Sequence, residues 1–303
     1  MTNILILGAG YSGLAFSRAR GPSWDGTIKG TTRREERFSA LRGAGIEPVL
    51  WDGGPPSAAL REALSRATHL VMSAAPGDAG DPALTALGEE LRSAQNLRWI
   101  GYLSTVGVYG DHGGAWVDET AALRPRSARA RARVAAENAW EALGTATGVP
   151  VSVLRLSGIY GPGRNALVNL AHGTARRLVK PGQVFNRIHA ADIAGGLWHL
   201  AERELGGVFN VSDDLPAPPQ DVVGFAASLM GVEPPPEIPF ETAELSPMQR
   251  SFYGENKRVS NARLKGSGYR FRFPDYRAAL SSMWRDGTWR GAGDDRRSPI
   301  AEA

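Results

Sequence analysis

Short apolar runs recur along the first half of the chain, and a stretch with helical spacing of apolar positions follows each of them. The first run, Ile4 to Leu7, is apolar on both faces, which is typical of a buried parallel strand. Further strands are predicted at 27–32, 47–51, 69–73, 98–104 and 151–156. Helices are predicted between the strands, at 11–20, 34–42, 57–66, 82–93 and 127–144. This alternation predicts a doubly wound parallel α/β sheet that binds ligands at the carboxyl ends of its strands.

Three glycines follow the first strand with the spacing Gly-x-Gly-x-x-Gly. Gly8 permits a tight turn, Gly10 lets a pyrophosphate approach the backbone, and Gly13 lets helix and strand pack closely. The helix that begins near Tyr11 and Ser12 offers free N–H groups and a positive dipole to the phosphates. Because the glycines follow a strand and open a helix, we predict a dinucleotide-binding turn. A Walker-type phosphate loop is excluded, since no Lys-Ser or Lys-Thr follows the last glycine.

The end of the second strand distinguishes the two nicotinamide dinucleotides. An acidic residue here accepts hydrogen bonds from the adenosine ribose and selects NAD, whereas a guanidinium pairs with a 2′-phosphate and favours NADP. The chain has Thr32, Arg33 and Arg34 at this place. The alternative, that the arginines only start a solvated helix, is weaker because cations oppose the dipole at a helix N-terminus. We predict NADP as the cofactor, with NAD as the alternative.

Residues at two further strand ends complete the predicted cofactor site. Asp52 follows the third strand, where it either lies near the adenine or caps the proline-rich turn that comes next. Ala74 and Ala75 follow the fourth strand and are assigned to the same edge of the sheet.

The pattern changes after Ser157, where Gly and Pro become denser. Helices are predicted at 190–202, 220–230 and 274–285, separated by proline-rich stretches. We therefore expect a Rossmann-type dinucleotide-binding domain at 1–157 and a smaller C-terminal substrate lobe at 158–286, which contributes elements back to the first domain. The polar segment 287–303 is predicted to be a mobile tail.

Composition excludes several classes of function. The 303 residues include no cysteine, which excludes disulfides and thiolate sites, and the histidines lack metal-site spacing. No apolar run approaches the ~20 residues of a membrane span, and the early first strand leaves no room for a signal peptide, so a cytoplasmic location is expected. The net charge is +4, and the arginine cluster at 124–133 has no interleaved aromatic residue. We expect a small-molecule substrate, with neither nucleic acid nor membrane as a partner.

Several motifs, taken with the glycine turn, resemble the short-chain dehydrogenase/reductase superfamily in its extended, epimerase-like branch. They are YLSTVGVYG at 102–110, RLSGIYGPG at 155–163, RIHAADIA at 187–194 and GVFNV at 207–211. The resemblance spans about residues 3 to 285 and is strongest to atypical bacterial NAD(P)-dependent epimerase/dehydratase or oxidoreductase members. It implies a Rossmann-type domain with a substrate lobe. Family members often pair through the helix predicted at 127–144, so a homodimer is one expected assembly.

The resemblance also implies a catalytic role for the end of the fifth strand. In the family, a Ser or Thr hydroxyl here polarises the substrate oxygen, and Thr105 matches that position with Ser104 beside it. The alternative for either hydroxyl is a hydrogen bond within the strand end or loop. Val106 and Gly107 stand where sugar-nucleotide dehydratases carry Asp and Glu, which argues against a dehydratase of that type.

The Tyr-x-x-x-Lys pair of the family is missing from the next helix. Counting back from Glu137, its two positions fall at Arg129 and Arg133, and neither Tyr nor Lys occurs between Tyr109 and Tyr160. An arginine cannot act as a general acid near neutral pH. Arg133 is therefore expected either to hold the ribose or phosphates of the cofactor or to lie on a solvated helix face.

Two functional hypotheses follow. The first is an NADP-dependent oxidoreductase or epimerase of a small polar or sugar-like substrate, in which another residue replaces the family's proton donor. The second is a non-catalytic NADP-binding protein that senses redox state, which the missing pair favours. We adopt the enzyme as the leading hypothesis. The candidate replacement donors are Tyr109, Tyr160, His112, Asp111 and His189.

Other polar residues of the substrate lobe are candidates for facing the pocket. Arg164, Asn165, Arg187 and His189 belong to this set, although each also has a structural alternative. Asp192 is a further candidate for facing the pocket, and its structural alternative is to cap the helix that follows it.

Overall fold

The computed structural model describes residues 2–21, 24–77 and 79–291. The strands are β1 (Asn3–Leu7), β2 (Thr27–Thr32), β3 (Glu47–Leu50), β4 (His69–Met72), β5 (Trp99–Thr105), β6 (Trp116–Val117), β7 (Val151–Leu156), β8 (Gly158–Tyr160), β9 (Arg177–Val179), β10 (Arg187–His189), β11 (Gly207–Val211), β12 (Glu237–Pro239) and β13 (Arg258–Val259). The helices are α1 (Tyr11–Arg18), α2 (Phe38–Gly43), α3 (Ala58–Arg66), α4 (Pro82–Arg92), α5 (Ala128–Thr147), α6 (Ala166–Ala171), α7 (Ala190–Glu202), α8 (Pro219–Met230), α9 (Pro247–Phe252), α10 (Ala262–Gly266) and α11 (Tyr276–Arg285). Short 3₁₀ turns lie at Glu35–Arg37, Val106–Tyr109 and Thr288–Arg290.

Seven strands form one parallel sheet in the order β11-β7-β5-β4-β1-β2-β3. The chain runs outward from β1 to β3 and then returns to β4 on the other side of β1. The carboxyl ends of β1 and β4 therefore lie at the switch point, where open α/β sheets bind their ligands. The prediction of a doubly wound Rossmann-type sheet is confirmed.

Two apolar cores cover the two faces of this sheet. On one face, α1 and α7 pack together, and Phe16 stacks on Trp198 with ring centroids 4.6 Å apart. On the other face, Leu60 of α3, Leu87 of α4 and Trp140 of α5 are fully buried against the strands. Each large apolar side chain buried in this way stabilises the fold by about 1.5–3 kcal/mol. The six sheet strands predicted up to 156 need such a core on both sides, which explains their continuous apolar runs.

A third core belongs to the C-terminal lobe and is built mainly from α6, α8 and α11. Trp289 is buried in it at 3 % exposure, although residues 287–291 were predicted to belong to a mobile tail. The tail prediction is wrong for these residues, because the Trp289 indole packs into the lobe. The rest of the predicted tail, 292–303, lies outside the described residues. β11 and α7 follow Ser157 in the chain and yet complete the central sheet and its covering layer.

Several helix ends differ from their predicted positions for identifiable reasons. The segment predicted as one helix over 34–42 is divided between the 3₁₀ turn at 35–37 and α2. α11 begins at Tyr276 because the Asp275 side chain accepts a hydrogen bond from the N–H of Ala278. α5 runs to Thr147, beyond the predicted end at 144, and stops at Gly148, whose φ of +73° only glycine adopts readily.

Candidate functional site

The glycine turn after β1 has two crowded positions and one open position. Gly8 has φ +85°, and a Cβ there would lie 2.8 Å from the backbone nitrogen of Ala74. A Cβ at Gly13 would lie 3.2 Å from Cγ2 of Ile6, so a larger residue there would require the Ile6 side chain to shift. At Gly10 the nearest atom to an added Cβ is the Gly8 carbonyl oxygen, 3.9 Å away. The turn therefore has free space at the position where a pyrophosphate approaches the backbone.

Neighbouring strands hold this turn in place. The N–H of Gly8 donates to Oγ1 of Thr31 at 2.8 Å, and the N–H of Ala9 donates to the Thr31 carbonyl at 2.8 Å. α1 follows with Gly10 at its N-cap and no side-chain cap, so its first N–H groups are free to bind an anion. Ser12 lies buried in the first turn of α1, and the Tyr11 hydroxyl donates to the Pro162 carbonyl at 3.0 Å. Residues of this turn thus fit a dinucleotide phosphate and also contact the C-terminal lobe.

The two arginines at the end of β2 are exposed. Within the described residues, neither the Arg33 nor the Arg34 guanidinium forms a hydrogen bond or an ion pair. Oγ1 of Thr32 lies 3.4 Å from the backbone nitrogen of Arg34 and accepts its hydrogen bond. Two uncommitted guanidinium groups therefore follow the strand whose end meets the adenosine ribose in this fold.

Asp52 caps the turn that follows it, and its predicted place near the adenine stays a prediction. Its Oδ1 accepts a hydrogen bond from the N–H of Gly54 at 2.9 Å, which closes the proline-rich turn. Ala74 and Ala75 follow β4 at the switch point, and the N–H of Ala74 donates to the Leu7 carbonyl at 3.1 Å. The predicted lining of the cofactor site by these two residues stays a prediction.

The end of β5 carries two hydroxyl groups with different surroundings. Thr105 is half-buried, and its Oγ1 accepts the N–H of Gly107 at 3.1 Å, which leaves its own hydroxyl hydrogen free. Ser104 is buried, and its hydroxyl donates to Oε1 of Glu137. The structure thus corrects the catalytic assignment of Ser104, because the proton that would polarise a substrate is committed to a buried carboxylate.

A continuous set of hydrogen bonds extends from Ser104, and we call it the Glu137 network. Nη2 of Arg155 lies 2.8 Å from Oε2 of Glu137, and Nη1 of Arg155 donates to the Tyr109 hydroxyl at 3.0 Å. That hydroxyl donates in turn to Oδ1 of Asn210 at 2.7 Å. Burial raises the pKa of Tyr109. The assignment of Tyr109 as a catalytic proton donor is therefore corrected, because its side chain is fully buried and its proton is already donated.

The positions of the family's missing Tyr and Lys lie on one side of α5. Arg133 is buried, and its Nη1 donates to the Leu103 carbonyl at 2.5 Å and to the Tyr102 hydroxyl at 3.3 Å. Arg129 is exposed one turn earlier. The expectation that Arg133 lies on a solvated helix face is wrong, because its guanidinium rests on the main chain of β5. Its predicted contact with the cofactor ribose stays a prediction.

A second polar group lies beyond β7 and β11, and we call it the Arg187 cluster; it comprises Tyr160, Arg187, His189 and Asp213. β8 and β10 pair in parallel, which places His189 opposite Tyr160 with ring centroids 5.3 Å apart. The Tyr160 hydroxyl, Nε2 of His189 and Oδ2 of Asp213 are buried without a hydrogen-bond partner. This cluster thus holds three of the buried polar atoms without a partner among the described residues.

Burial controls the protonation of two members of the Arg187 cluster. It raises the pKa of Asp213 to about 8. Burial, together with the nearby Arg272 guanidinium, lowers the pKa of His189 to about 4. Nδ1 of His189 accepts the N–H of Ala191 at 3.1 Å, which caps α7 and leaves the neutral ring with its hydrogen on Nε2. At neutral pH, Asp213 and His189 are therefore both mainly uncharged hydrogen-bond donors.

Asp192 does not cap its helix, since His189 does so instead. Its carboxylate accepts the N–H groups of Arg272 at 2.6 Å and Phe273 at 3.0 Å and the hydroxyl of Tyr269 at 2.9 Å. Asp192 thus fixes the segment before α11 against α7. Both suggested roles, pocket and cap, are replaced by this contact.

Three other candidates also have structural roles. Asn165 caps α6 by accepting the N–H of Val168 at 3.0 Å, and its amide donates to main-chain carbonyls. Asp111 accepts the N–H of Asn256 at 2.9 Å and forms an ion pair with an exposed arginine. Nε2 of His112 lies 3.2 Å from a main-chain carbonyl. Their bonds to the main chain explain why polar residues stand at these loop positions.

Asp213 is the residue that sequence reasoning missed. It follows the end of β11 by two residues, and the carboxyl ends of parallel strands are where ligands bind in this fold. The same rule that selected Asp52 could have found it. Nothing in the local sequence, however, indicates the burial that keeps its carboxyl group protonated.

The described residues contain no group of His, Asp or Glu arranged to hold a metal ion. Over the same ranges, every helix is too short or too polar to cross a bilayer.

Comparisons with known proteins support the fold described above. The model of the NAD dependent epimerase/dehydratase family matches residues 83–212. A functionally unknown conserved protein from Silicibacter pomeroyi is 47% identical, with a TM-score of 0.85 over 95% of this chain and 99% of that chain. Protein YeeZ of Escherichia coli K12 is 29% identical, over 91% of this chain and 97% of its own length.

A more distant structure shares the fold. The human epimerase family protein SDR39U1, solved with NADPH, is 20% identical with a TM-score of 0.67. The match covers 93% of this chain and 99% of the human chain. At this level of identity the likeness extends to the arrangement of the strands and helices.

Proposed function

The chain belongs to the NAD dependent epimerase/dehydratase family, and from that premise we propose that it is an NADP(H)-dependent oxidoreductase or epimerase of a small polar or sugar-like substrate. The observation that supports NADP(H) as the cofactor is the pair of exposed guanidinium groups of Arg33 and Arg34, which no residue of the described chain neutralises. They follow β2 directly, and β2 pairs with β1, which leads into the open position at Gly10. A 2′-phosphate would supply the missing counter-charge.

The carboxyl end of β5 would place the reacting group of the substrate. Bound NADPH would supply a hydride to a carbonyl carbon of the substrate. The Thr105 hydroxyl would donate to the carbonyl oxygen, because its Oγ1 already accepts from Gly107 and its hydrogen is free. The oxygen that gains negative charge would then take a proton from a neighbouring donor.

Two of the five candidate proton donors have a polar atom that forms no hydrogen bond within the described residues. Tyr109, Asp111 and His112 are committed to other groups of the protein. Tyr160 and His189 each have a buried polar atom without a partner. We therefore assign the replacement donor to one of these two side chains.

The second candidate function is an NADP-binding protein without chemistry. One observation favours it: Arg133, at the family's lysine position, is bound to the main chain of β5, and Arg129 replaces the tyrosine. Oxidation of NADPH by the protein with a panel of aldehydes and ketones decides between the two candidates. Turnover that depends on Tyr160 or His189 supports the enzyme, and the absence of any turnover supports the binding protein.

The cofactor itself is tested by calorimetric titration with NADPH and NADH. We expect wild type to bind NADPH more tightly by about tenfold to a hundredfold, since charge-assisted hydrogen bonds contribute about 1.5–3 kcal/mol. The double variant Arg33→Ala/Arg34→Ala should lose this preference and retain its affinity for NADH. Arg66→Ala, which removes an exposed arginine at the end of α3, serves as the matched control. Equal affinities of wild type for the two cofactors would overturn the proposal.

A further inference from the structure

Arg187 lies close to the predicted reaction centre along the edge of the sheet. In the strand register, Thr105 pairs with Leu156, where β7 ends. Two residues further on, Gly158 starts β8 and pairs with Arg187 of β10. Strands are spaced by about 4.8 Å and rise by about 3.3 Å per residue, so the main chain of Arg187 lies within about 16 Å of Thr105. A small substrate can reach both residues.

The guanidinium of Arg187 is fixed on one side and free on the other. Its Nη1 donates to the carbonyls of Phe185 and Ala217, at 2.9 and 3.0 Å. Phe185 and Ala217 also form two main-chain hydrogen bonds across a β-bridge, in which each carbonyl accepts the N–H of the other residue. Both carbonyls therefore have a partner without the arginine. Within the described residues, Nε and Nη2 donate to no group, and neither belongs to the fully buried polar atoms without partners. This free edge therefore reaches solvent.

The free edge has a specific recognition geometry. Nε and Nη2 of an arginine point their hydrogens in parallel, so they bind both oxygens of a carboxylate or phosphate at once. Anchoring Nη1 on two carbonyls fixes the direction of this edge before any ligand arrives. Pre-organisation of this kind lowers the entropic cost of binding.

Unused hydroxyl groups surround the same guanidinium. The charge of Arg187 acts electrostatically on the hydroxyls of Tyr160, Tyr253 and Tyr276, and its Cζ lies 5.9 Å from the Tyr276 ring centroid. None of the three hydroxyls donates a hydrogen bond within the described part of the chain. They are available as further donors to the oxygens of an anion.

Asp213 is the nearby carboxyl group, and it does not neutralise Arg187. The two side chains form no ion pair in the described structure, although the N–H of Asp213 donates to the Arg187 carbonyl at 2.7 Å. Burial keeps the Asp213 carboxyl mainly protonated at neutral pH, because its pKa is raised to about 8. Arg187 is consequently a half-buried cation without a counter-ion, an arrangement that costs free energy unless a ligand supplies the opposite charge.

We propose that Arg187 binds an oxyanion of the substrate, so that the substrate is an acidic small molecule with a carboxylate or a phosphate beside its reacting carbonyl or hydroxyl group. The assignment rests on the function proposed above and specifies its substrate class. Arg187 is then a residue that determines specificity. It would bind an oxyanion beside the reacting group of the substrate and take no part in the proton transfer.

The test is calorimetric titration of the NADPH-saturated protein with three probes, namely D-glucuronate, D-glucose 6-phosphate and D-glucose. We expect at least one of the two acids to bind at least about tenfold more tightly than glucose, and the tighter acid identifies the oxyanion. Arg187→Gln should lose this advantage. Arg187→Lys keeps the positive charge but lacks the two parallel N–H groups, so it should lose a large part of the tighter binding of the acids.

Arg176→Gln is the matched control, because it removes an exposed arginine of the same lobe. It should bind the acids like wild type, and both glutamine variants should retain wild-type affinity for NADPH. If wild type prefers neither acid over glucose, or Arg187→Gln binds them unchanged, the assignment of Arg187 is wrong while the proposed function stands. If wild type fails to bind NADPH, the proposed function itself is wrong.

Discussion

The Glu137 network and the Arg187 cluster lie beside each other at the carboxyl ends of β5, β7 and β11, and they differ in how their polar groups are satisfied. In the network, the Glu137 carboxylate, the Arg155 guanidinium and the Tyr109 hydroxyl all have partners inside the protein. In the cluster, three buried polar atoms have none. A buried polar group without a partner costs about 1–3 kcal/mol. The protein alone satisfies the network, whereas three atoms of the cluster have no partner within the described residues.

This difference separates scaffold from site. Ser104 and Tyr109 belong to the motif that resembles a catalytic segment, and yet both side chains support the joint between α5 and the sheet. The buried polar atoms without partners lie one or two strands away, in residues that the motif does not contain. The following predictions test whether the two regions respond as scaffold and site should.

The largest expected effect is the loss of stability in Glu137→Ala. Removing this carboxylate leaves the buried Arg155 guanidinium without its counter-ion, and breaking such a pair costs about 3–5 kcal/mol. Urea unfolding at pH 7 measures the difference in the free energy of unfolding. Glu141→Ala, one helical turn later on the exposed side of α5, should change it by less than about 0.5 kcal/mol. Similar losses in both variants would show that the network is not the scaffold we describe.

The next prediction is a gain in stability relative to wild type, and its size depends on pH. Folded Asp213 holds its proton up to a pKa of about 8, whereas an unfolded aspartate releases it near pH 4. The folded state thus binds more protons between these values, and wild-type stability falls as pH rises through this window. Asp213→Asn removes the titrating group, so its stability relative to wild type should rise by about 2 kcal/mol from pH 6 to pH 8.

Urea unfolding of both proteins at the two pH values measures this change. A difference between variant and wild type that is independent of pH would contradict the protonated state of Asp213. Because the cluster would then carry a negative charge at neutral pH, it would also weaken the case for an anionic ligand.

The smallest effects come from removing one hydroxyl in each region. Tyr109→Phe deletes the donor to Oδ1 of Asn210 and should cost roughly 1 kcal/mol. Tyr160→Phe deletes a buried hydroxyl that has no partner, so it should be neutral or slightly stabilising. Thermal unfolding of the two variants side by side checks the order. A larger loss in Tyr160→Phe than in Tyr109→Phe would reverse the comparison.

The fold and the glycine turn could be predicted because local spacing determines them. Gly8, Gly10 and Gly13 act on each other and on the adjacent strands, and the apolar run of β1 already indicates burial on both faces. Arg33 and Arg34 follow from the same logic, since their exposure at a strand end requires no distant partner. A pattern read within about fifteen residues contains all of this information.

The roles of other site residues could not be predicted because their partners are distant in the sequence. The Tyr109 hydroxyl is bound by Asn210, 101 residues away, and Asp192 by the N–H of Arg272, 80 residues away. Each residue type suits a catalytic or capping role equally well until its partner is known. Burial determines the protonation state of Asp213, and no local sequence pattern indicates that this residue is buried. Trp289 shows the same limit, since a polar surrounding sequence concealed its place in the core.

The hydrogen bond from Tyr11 to Pro162 has a consequence for the time at which the glycine turn is completed. It joins residues 151 positions apart, and the next residue, Gly163, donates its N–H to the Trp289 carbonyl at 2.9 Å. A ribosome adds about 5–20 residues per second, so Trp289 is synthesised roughly 15 to 55 s after Tyr11. In the later part of that interval, the nascent chain contains Pro162 but lacks Trp289, so the main-chain hydrogen bond that holds the residue after Pro162 in place is still missing. Ending the chain before Trp289 would make that unfinished state permanent, and a change at one terminus would then act at the other.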